Sequence, residues 1–281
     1  MNINAISIVP QDVGCNAKCK YCIAYLTKDV RKDLKKPGIN LPKLEKCIKF
    51  ATMQSASTAI ITSSGETLLG SWTNIENILW LCKKYFGQID LHTNGIEIDK
   101  PPMFGRDFSQ MLAPYLSNIT ITVPHYKKKT CLEHGLDVDY EKLFKKLNDL
   151  GSIIRLSCVV CKSFSSVSID NFLQNYITFY KNLGVSQIVF RELWIPSQSS
   201  VINDWCRDNY VSKQCIQQYI ESLQITKELN WWGNGQPYEL SGIAVSTSTC
   251  TNNVTKEVVK SVVYRPDNCL YSDWDTMCKM M

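Results

Sequence analysis

The chain has 281 residues, 44% of them hydrophobic, and a formal net charge of +5 from 31 Lys and Arg against 26 Asp and Glu. A chain of this length can build one large domain, or a domain with an appendage, and can bury enough surface to fold without disulfide staples. The charge excess is too mild to demand a nucleic-acid partner, no apolar run reaches 18 residues, and the opening MNINAISIVP has neither the basic start nor the long apolar stretch of a secretory leader.

The elements follow in chain order. The first expected strand is NAISIVP (4–10), and directly after it comes VGCNAKCKYC (13–22), which places Cys15, Cys19 and Cys22 within eight residues. The run KDVRKDLKK (28–36) mixes signs and reads as a solvated face, with a phosphate-rich partner as the alternative. A helix is expected over 43–54 and a strand at TAIITSS (58–64). A helix over 72–86 is opened by Ser71, or by Thr73 with Glu76 as a capping box. Next come the strand QIDLHTN (88–94), a helix over 105–115, the strand NITITVP (118–124) and a helix over 138–150. The strand SIIRLSCVV (152–160) leads to a helix over 168–183, capped by Ser168 or Asp170 and ended by Gly184, and then to the strand SQIVFREL (186–193). This βα alternation predicts a parallel sheet with helices outside, as a barrel or an open doubly wound sheet.

After about residue 200 the rhythm changes. Residues 203–230 look helical, while YELSGIAVSTSTC and VTKEVVKSVVYRPDNCLYSDW look like antiparallel strands, the latter turning at Pro266-Asp267-Asn268. The expected organisation is therefore a βα domain over 1–200 with an extension over 201–281 packed on it rather than a free domain.

With no export signal, the 13 cysteines are expected to stay reduced in a cytoplasmic protein, where clustered thiols suggest metal before disulfide. On a helix, Cys15, Cys19 and Cys22 would form one packing stripe. A structural zinc would want a fourth ligand. Three thiolates in one loop suit a [4Fe–4S] cube with one iron left open to a substrate or cosubstrate.

C-x3-C-x2-C after the first strand, with aromatic Tyr21 before the last cysteine, resembles the radical S-adenosylmethionine superfamily. The resemblance extends over about residues 3–195. Members carry a Gly-Gly-Glu-Pro-like segment after the second strand; SSGETLL (63–69) matches it at Gly65 and Glu66, with Ser64 and Thr67 in place of the first Gly and the Pro. HTNG (92–95) supplies a frequent Thr-Asn-Gly, and GVSQIVFREL (184–193) looks like the sixth-strand segment. The resemblance implies a partial (β/α)6 TIM-like barrel with a C-terminal α+β extension. It implies a [4Fe–4S] cluster on Cys15, Cys19 and Cys22, and S-adenosylmethionine contacted by residues among Tyr21, Ser64, Gly65, Glu66, Thr67, Asn94, Thr122, Ser157 and Arg191. Glu66 would accept the methionine ammonium. The implied reaction is reductive cleavage to a 5′-deoxyadenosyl radical that abstracts hydrogen from a small molecule or nucleotide, with a peptide or protein substrate as the alternative. An external electron donor such as flavodoxin or ferredoxin is implied, and no membrane partner. The rival from another class is a non-catalytic iron–sulfur protein, which leaves SGET and TNG at the strand ends unexplained.

Residue type and strand period support the same rim. In parallel βα architectures ligands sit at the carboxyl ends of the strands, where the cysteine loop, SGE, TNG, PHY (124–126) and FREL all fall. Alternation puts Arg155, Ser157, Val159 and Cys161 on one face, expected inward, and Ile154, Leu156, Cys158 and Val160 on the helix-facing side. CVVC is thus not expected to be a metal pair. Thr120 and Thr122 are expected inward. His125 is open between a structural role and substrate contact, with His92 and His134 weaker candidates. Cys250, Cys269 and Cys278 are expected to be packing cysteines rather than a second cluster. One of Trp231 and Trp232 is expected in the core and the other available for stacking.

Overall fold

The β-branched runs form strands close to their expected places because each alternates an apolar row with a second row facing the sheet's other side. The structure, a computed structural model, describes residues 2–11, 14–22, 38–100, 107–165, 168–195, 201–223, 227–228, 237–249, 258–274 and 279–280. The strands are β1 (Asn2–Ile8), β2 (Thr58–Ile61), β3 (Gln88–Thr93), β4 (Asn118–Thr122), β5 (Ile153–Val159), β6 (Gln187–Arg191), β7 (Lys227–Glu228), β8 (Pro237–Leu240), β9 (Ile243–Ser248), β10 (Val258–Tyr264) and β11 (Leu270–Tyr271). With the helices between them they make an α/β fold on a predominantly parallel sheet.

Two compact units divide the chain: Met1–Asn16, Thr27–Thr120 and Asn253–Met281 form the first, Ala17–Leu26 and Ile121–Asn252 the second. In the first, the strand order is β11-β10-β1-β2-β3 and then the start of β4. β1 runs parallel to both β10 and β2, and β2 parallel to β3. The helix Leu41–Met53 lies on β1 and β10 through Leu44, Cys47, Ile48 and Ala51. Asn40 caps it, accepting from Lys43 N at 3.0 Å. The helix Trp72–Lys83 packs on β3 and is capped by Ser71, which accepts from Asn74 N, so the Thr73–Glu76 alternative does not form.

In the second unit the end of β4 is followed by β5-β6-β9-β8-β7. β5, β6 and β9 are mutually parallel, and β8 turns back antiparallel on β9. That hairpin closes through Ser241 and Gly242, whose φ of 52° and 89° give the left-handed pair a two-residue turn needs. The helix Tyr140–Asp149 covers β5 with Leu143, Phe144 and Leu147, all fully buried. Each such side chain contributes roughly 1.5–3 kcal/mol of transfer free energy. Ser168 caps Ile169–Asn182, and Gly184, at φ 80°, follows its end.

Four details differ from expectation. The span 105–115 is broken into the helix Phe108–Met111 and a 3-10 turn at Ala113–Tyr115, because Pro114 has no N–H to continue the ladder. The short helix Lys128–Glu133 was not expected; it has no side-chain cap to announce it. The helical stretch after 203 is two helices, Val201–Asp208 and Lys213–Ser222, the second restarted by Ser212 as N-cap. The tail strands pair antiparallel within β8–β9 and β10–β11 as expected, but β9 and β10 also join β6 and β1 in parallel.

Candidate functional site

In the first unit, the segment after β1 and the turns after β2 and β3 are fastened to one another. Glu66 is 2% exposed. Its Oε1 accepts from Leu68 N at 2.9 Å and from Thr93 Oγ1 at 2.6 Å, and its Oε2 from Asn94 N at 2.7 Å. Burial pushes this carboxyl up, and the three donors pull it back down. Its own backbone N–H donates to Gly14 O at 3.1 Å, tying the turn to the start of the cysteine loop. Thr67 is buried in the 3-10 turn that Glu66 caps. Gly65 N donates to Ser63 Oγ at 3.2 Å. Ser64 Oγ is buried and has no hydrogen-bond partner among the described residues, so this turn presents an unmet hydroxyl.

Asn94 stands at the centre of the β3 turn. Gly95 follows at φ 87°, a conformation that favours glycine, and its N–H donates to Thr93 Oγ1 at 3.1 Å. Asn94 Oδ1 accepts from Ile96 N at 3.0 Å, and Nδ2 donates to Asn16 Oδ1 at 2.7 Å and to Cys15 Sγ at 3.9 Å. Asn16 Nδ2 donates to Glu97 Oε1 at 2.8 Å. Deeper on the strands, Thr120 Oγ1 donates to Asp90 Oδ1 at 2.9 Å, and His92 Nε2 lies 3.5 Å from Asp90 Oδ2.

In the second unit, Cys22 N donates to Cys19 O at 3.1 Å, so the second half of the loop is a turn, not a helix with a packing stripe. Lys18 N donates to His134 O at 2.7 Å. Tyr21 is 6% exposed, its ring 5.4 Å from His134 and 6.2 Å from Phe164. Burial, then the thiols of Cys19, Cys161 and Cys158, push the Tyr21 hydroxyl far above the usual phenol range. Tyr21 thus anchors the loop against the short helix Lys128–Glu133 and the turn after β5.

On β5 the expected helix-facing row is in place. Ile154, Leu156, Cys158 and Val160 are fully buried. On the other face Arg191 Nε donates to Ser157 Oγ, and Arg155 Nε to Gln187 Oε1, both at 2.8 Å. Thr122 is half-buried at the end of β4. Cys161, expected on the Arg155 face, is fully buried and bridges to Tyr210.

Of the histidines, His125 resolves toward structure, while His134 Nδ1 is buried with no hydrogen-bond partner among the described residues. His125 Nδ1 accepts from Lys127 N at 2.9 Å, so its proton is on Nε2, which donates to Phe164 O at 3.0 Å. Burial pushes both His125 and His134 below the usual imidazole range. Trp231, Trp232, Cys250, Cys278 and the run 28–36 lie outside the described residues. Arg265 is fully buried, donating to Trp274 O at 2.6 Å. Asn16, Glu97 and Phe164 were missed as site residues by sequence reasoning, whereas Thr93 lay within the Thr-Asn-Gly motif. Asn16 and Glu97 carried a signal only as polar residues next to Cys15 and three past Asn94.

Cys15 is exposed, and Cys19 and Cys22 are half-buried. Among the described residues no three Cys, His, Asp or Glu side chains are gathered closely enough to hold a metal ion as they stand. The donor set nevertheless fits an iron–sulfur cube: three accessible thiols on one loop, the first facing an amide donor, beside a turn with an unmet hydroxyl.

No family model matches the sequence, and no curated protein matches it. Its fold is similar to that of several solved structures, at low identity. SuiB from Streptococcus suis, bound to S-adenosylmethionine, superimposes with a TM-score of 0.60 at 13% identity over 97% of this chain and 60% of that one. HydG from Carboxydothermus hydrogenoformans, an FeFe-hydrogenase maturase, gives 0.52 at 11% identity over 78% of this chain and 50% of that one. Methylornithine synthase PylB gives 0.52 at 7% identity over 78% and 63%. The chain thus spans less than two thirds of each of these proteins. Among the described residues no helix is long and apolar enough to cross a membrane.

Proposed function

We propose that this chain is a radical S-adenosylmethionine enzyme. The observation that carries the reading is C-x3-C-x2-C directly after the first strand of a fold of this kind, its first cysteine wired to the turns after β2 and β3. Cys15, Cys19 and Cys22 would hold a [4Fe–4S] cluster, which when bound supplies the electron that splits S-adenosylmethionine. Ser64, Gly65, Thr122, Ser157 and Arg191 are the proposed cosubstrate contacts: an unmet hydroxyl, a backbone amide, and hydroxyls and a cation on strand ends. Tyr21, Glu66, Thr67 and Asn94 act from behind them. Their rings, carboxylate and amide are spent on holding the loop and turns in place, and Glu66 retains one lone-pair direction for the methionine ammonium.

The substrate proposed is a small molecule or nucleotide. The paired Arg155–Gln187 and Arg191–Ser157 on one sheet face favour a polar, anionic group. Residues 201–281 are proposed to supply cover for the site. A small acidic electron carrier such as flavodoxin or ferredoxin fits the exposed Lys18, Lys20, Lys127, Lys128, Lys129 and Lys162 of the second unit. Anaerobically reconstituted protein with dithionite should convert S-adenosylmethionine to 5′-deoxyadenosine and methionine, with close to four irons per chain. A cluster that forms but never cleaves S-adenosylmethionine would return the chain to the non-catalytic iron–sulfur reading.

A further inference from the structure

Beside the cysteine loop, the first unit carries a run of polar side chains whose donors and acceptors can face only one way. Glu97, 8% exposed, is an acceptor, paired with Lys100 Nζ at 2.6 Å. Asn16 must therefore turn its amide nitrogen toward it, Nδ2 to Oε1 at 2.8 Å. That leaves Asn16 Oδ1 as the acceptor for Asn94 Nδ2 at 2.7 Å. Asn94 Oδ1 is already held by Ile96 N at 3.0 Å, so its amide cannot flip. The second N–H of Asn94 is aimed at Cys15 Sγ, 3.9 Å away. The backbone of Asn94 is fixed in turn by Glu66 Oε2 at 2.7 Å, and Glu66 N holds Gly14 O at 3.1 Å. Cys15 is thus gripped through both chain neighbours, and a directed amide dipole ends on its sulfur.

We infer that Asn94, wired through Asn16 to Glu97, is a positioning residue for Cys15: it fixes the first thiol of the loop and gives it an N–H···S hydrogen bond that eases reduction of a cluster bound there. The redox half of this rests on the function proposed above; the positioning half does not. A thiolate attracts the amide more strongly than a thiol, and donors to cluster sulfur favour the more negative, reduced form. Asn94 therefore acts through Cys15 and not as a contact to the cosubstrate.

Three full-length proteins test this: Asn94→Ala, Asn16→Asp, and Asn16→Asp combined with Glu97→Gln. Asn16→Asp sets a second carboxylate against Glu97. Adding Glu97→Gln returns a donor to that contact, so the introduced carboxylate can accept from both sides and the relay is whole again. In metal-free protein, hydrogen exchange of the peptides covering 14–19 and 63–69 should quicken by about tenfold in Asn94→Ala and Asn16→Asp, the effect of losing about one net hydrogen bond. Exchange in β5 and β6 should stay as in the wild type, and the double variant should return to wild-type exchange in the loop. In cluster-loaded protein, a redox titration followed by electron paramagnetic resonance should show a lower midpoint potential in Asn94→Ala than in the wild type. Unchanged exchange and potential in Asn94→Ala, or no rescue of Asn16→Asp by Glu97→Gln, overturns the inference. A wild-type protein that takes up no cluster overturns the proposed function and the redox half, and the exchange measurement still decides the positioning half.

Discussion

Replacing Glu66 by glutamine measures how firmly the end of β2 is fastened to the end of β3. The carboxylate accepts three hydrogen bonds, two on Oε1 and one on Oε2, with distances of 2.9, 2.6 and 2.7 Å. A glutamine can keep its carbonyl at the Oε1 place, but its amide nitrogen then meets Asn94 N–H, donor against donor. One bond to a charged acceptor is lost, about 1.5–3 kcal/mol, and the two that remain weaken to neutral bonds of about 1 kcal/mol each. Relief of the buried charge offsets part of this. We expect Glu66→Gln to lower the unfolding free energy by about 2 kcal/mol, read from urea transitions followed by circular dichroism. Thr93→Val removes a donor from the same oxygen, so its cost should overlap that of Glu66→Gln, with a coupling of at least about 1 kcal/mol in the double variant. A loss under about 0.5 kcal/mol, or strictly additive costs, would refute the account of Glu66 as the fastener.

Alanine at Cys15, Cys19 or Cys22 should abolish the reconstituted cluster absorbance and the cleavage of S-adenosylmethionine. Alanine at Cys47, Cys82 or Cys131 should spare both, because burial pushes those thiols to about 11, about 12 and about 11 and keeps them protonated; iron analysis separates the two groups. Tyr21→Ala should cost about 3–5 kcal/mol in chemical unfolding, as for other buried aromatics, since the ring fills the space against His134 and Phe164. His125 titrates in the fold below its ordinary value, so its contribution is complete above about pH 6.5 and is lost as pH falls through the lowered value. Stability against pH should steepen there by up to about 1.4 kcal/mol per pH unit, and His125→Gln should flatten that part of the curve.

Much of the fold was legible because it is written locally. The strands recur as β-branched runs, and Ser71, Ser168 and Gly184 mark helix ends by side-chain chemistry or φ. The hairpin at Ser241-Gly242 also rests on turn residues, although the sequence reading did not single them out. What the tail strands do next was not legible. Nothing in VVKSVVY states that Ser261 will face Ser7, 254 residues away, with their hydroxyls 2.7 Å apart. The site divides the same way. Cys15, Cys19 and Cys22 show in their spacing, and Glu66 and Asn94 in their place at strand ends. Their wiring does not show, because the direction of an amide depends on partners such as Glu97 that no periodicity singles out.

The pairing of β10 with β1 sets an order of events during synthesis. At roughly 5–20 residues per second, the 254 residues between Ser7 and Ser261 take about 13–50 s to emerge. By the end of that time the strand that leads into the cysteine loop has β2 available on one side and still no outer neighbour on the other, although the stretch Ile121–Asn252 has been made. Long-range parallel pairing is slow even once both strands exist. The nascent cysteine loop therefore passes through a window in which the strand beneath it is paired on one side only.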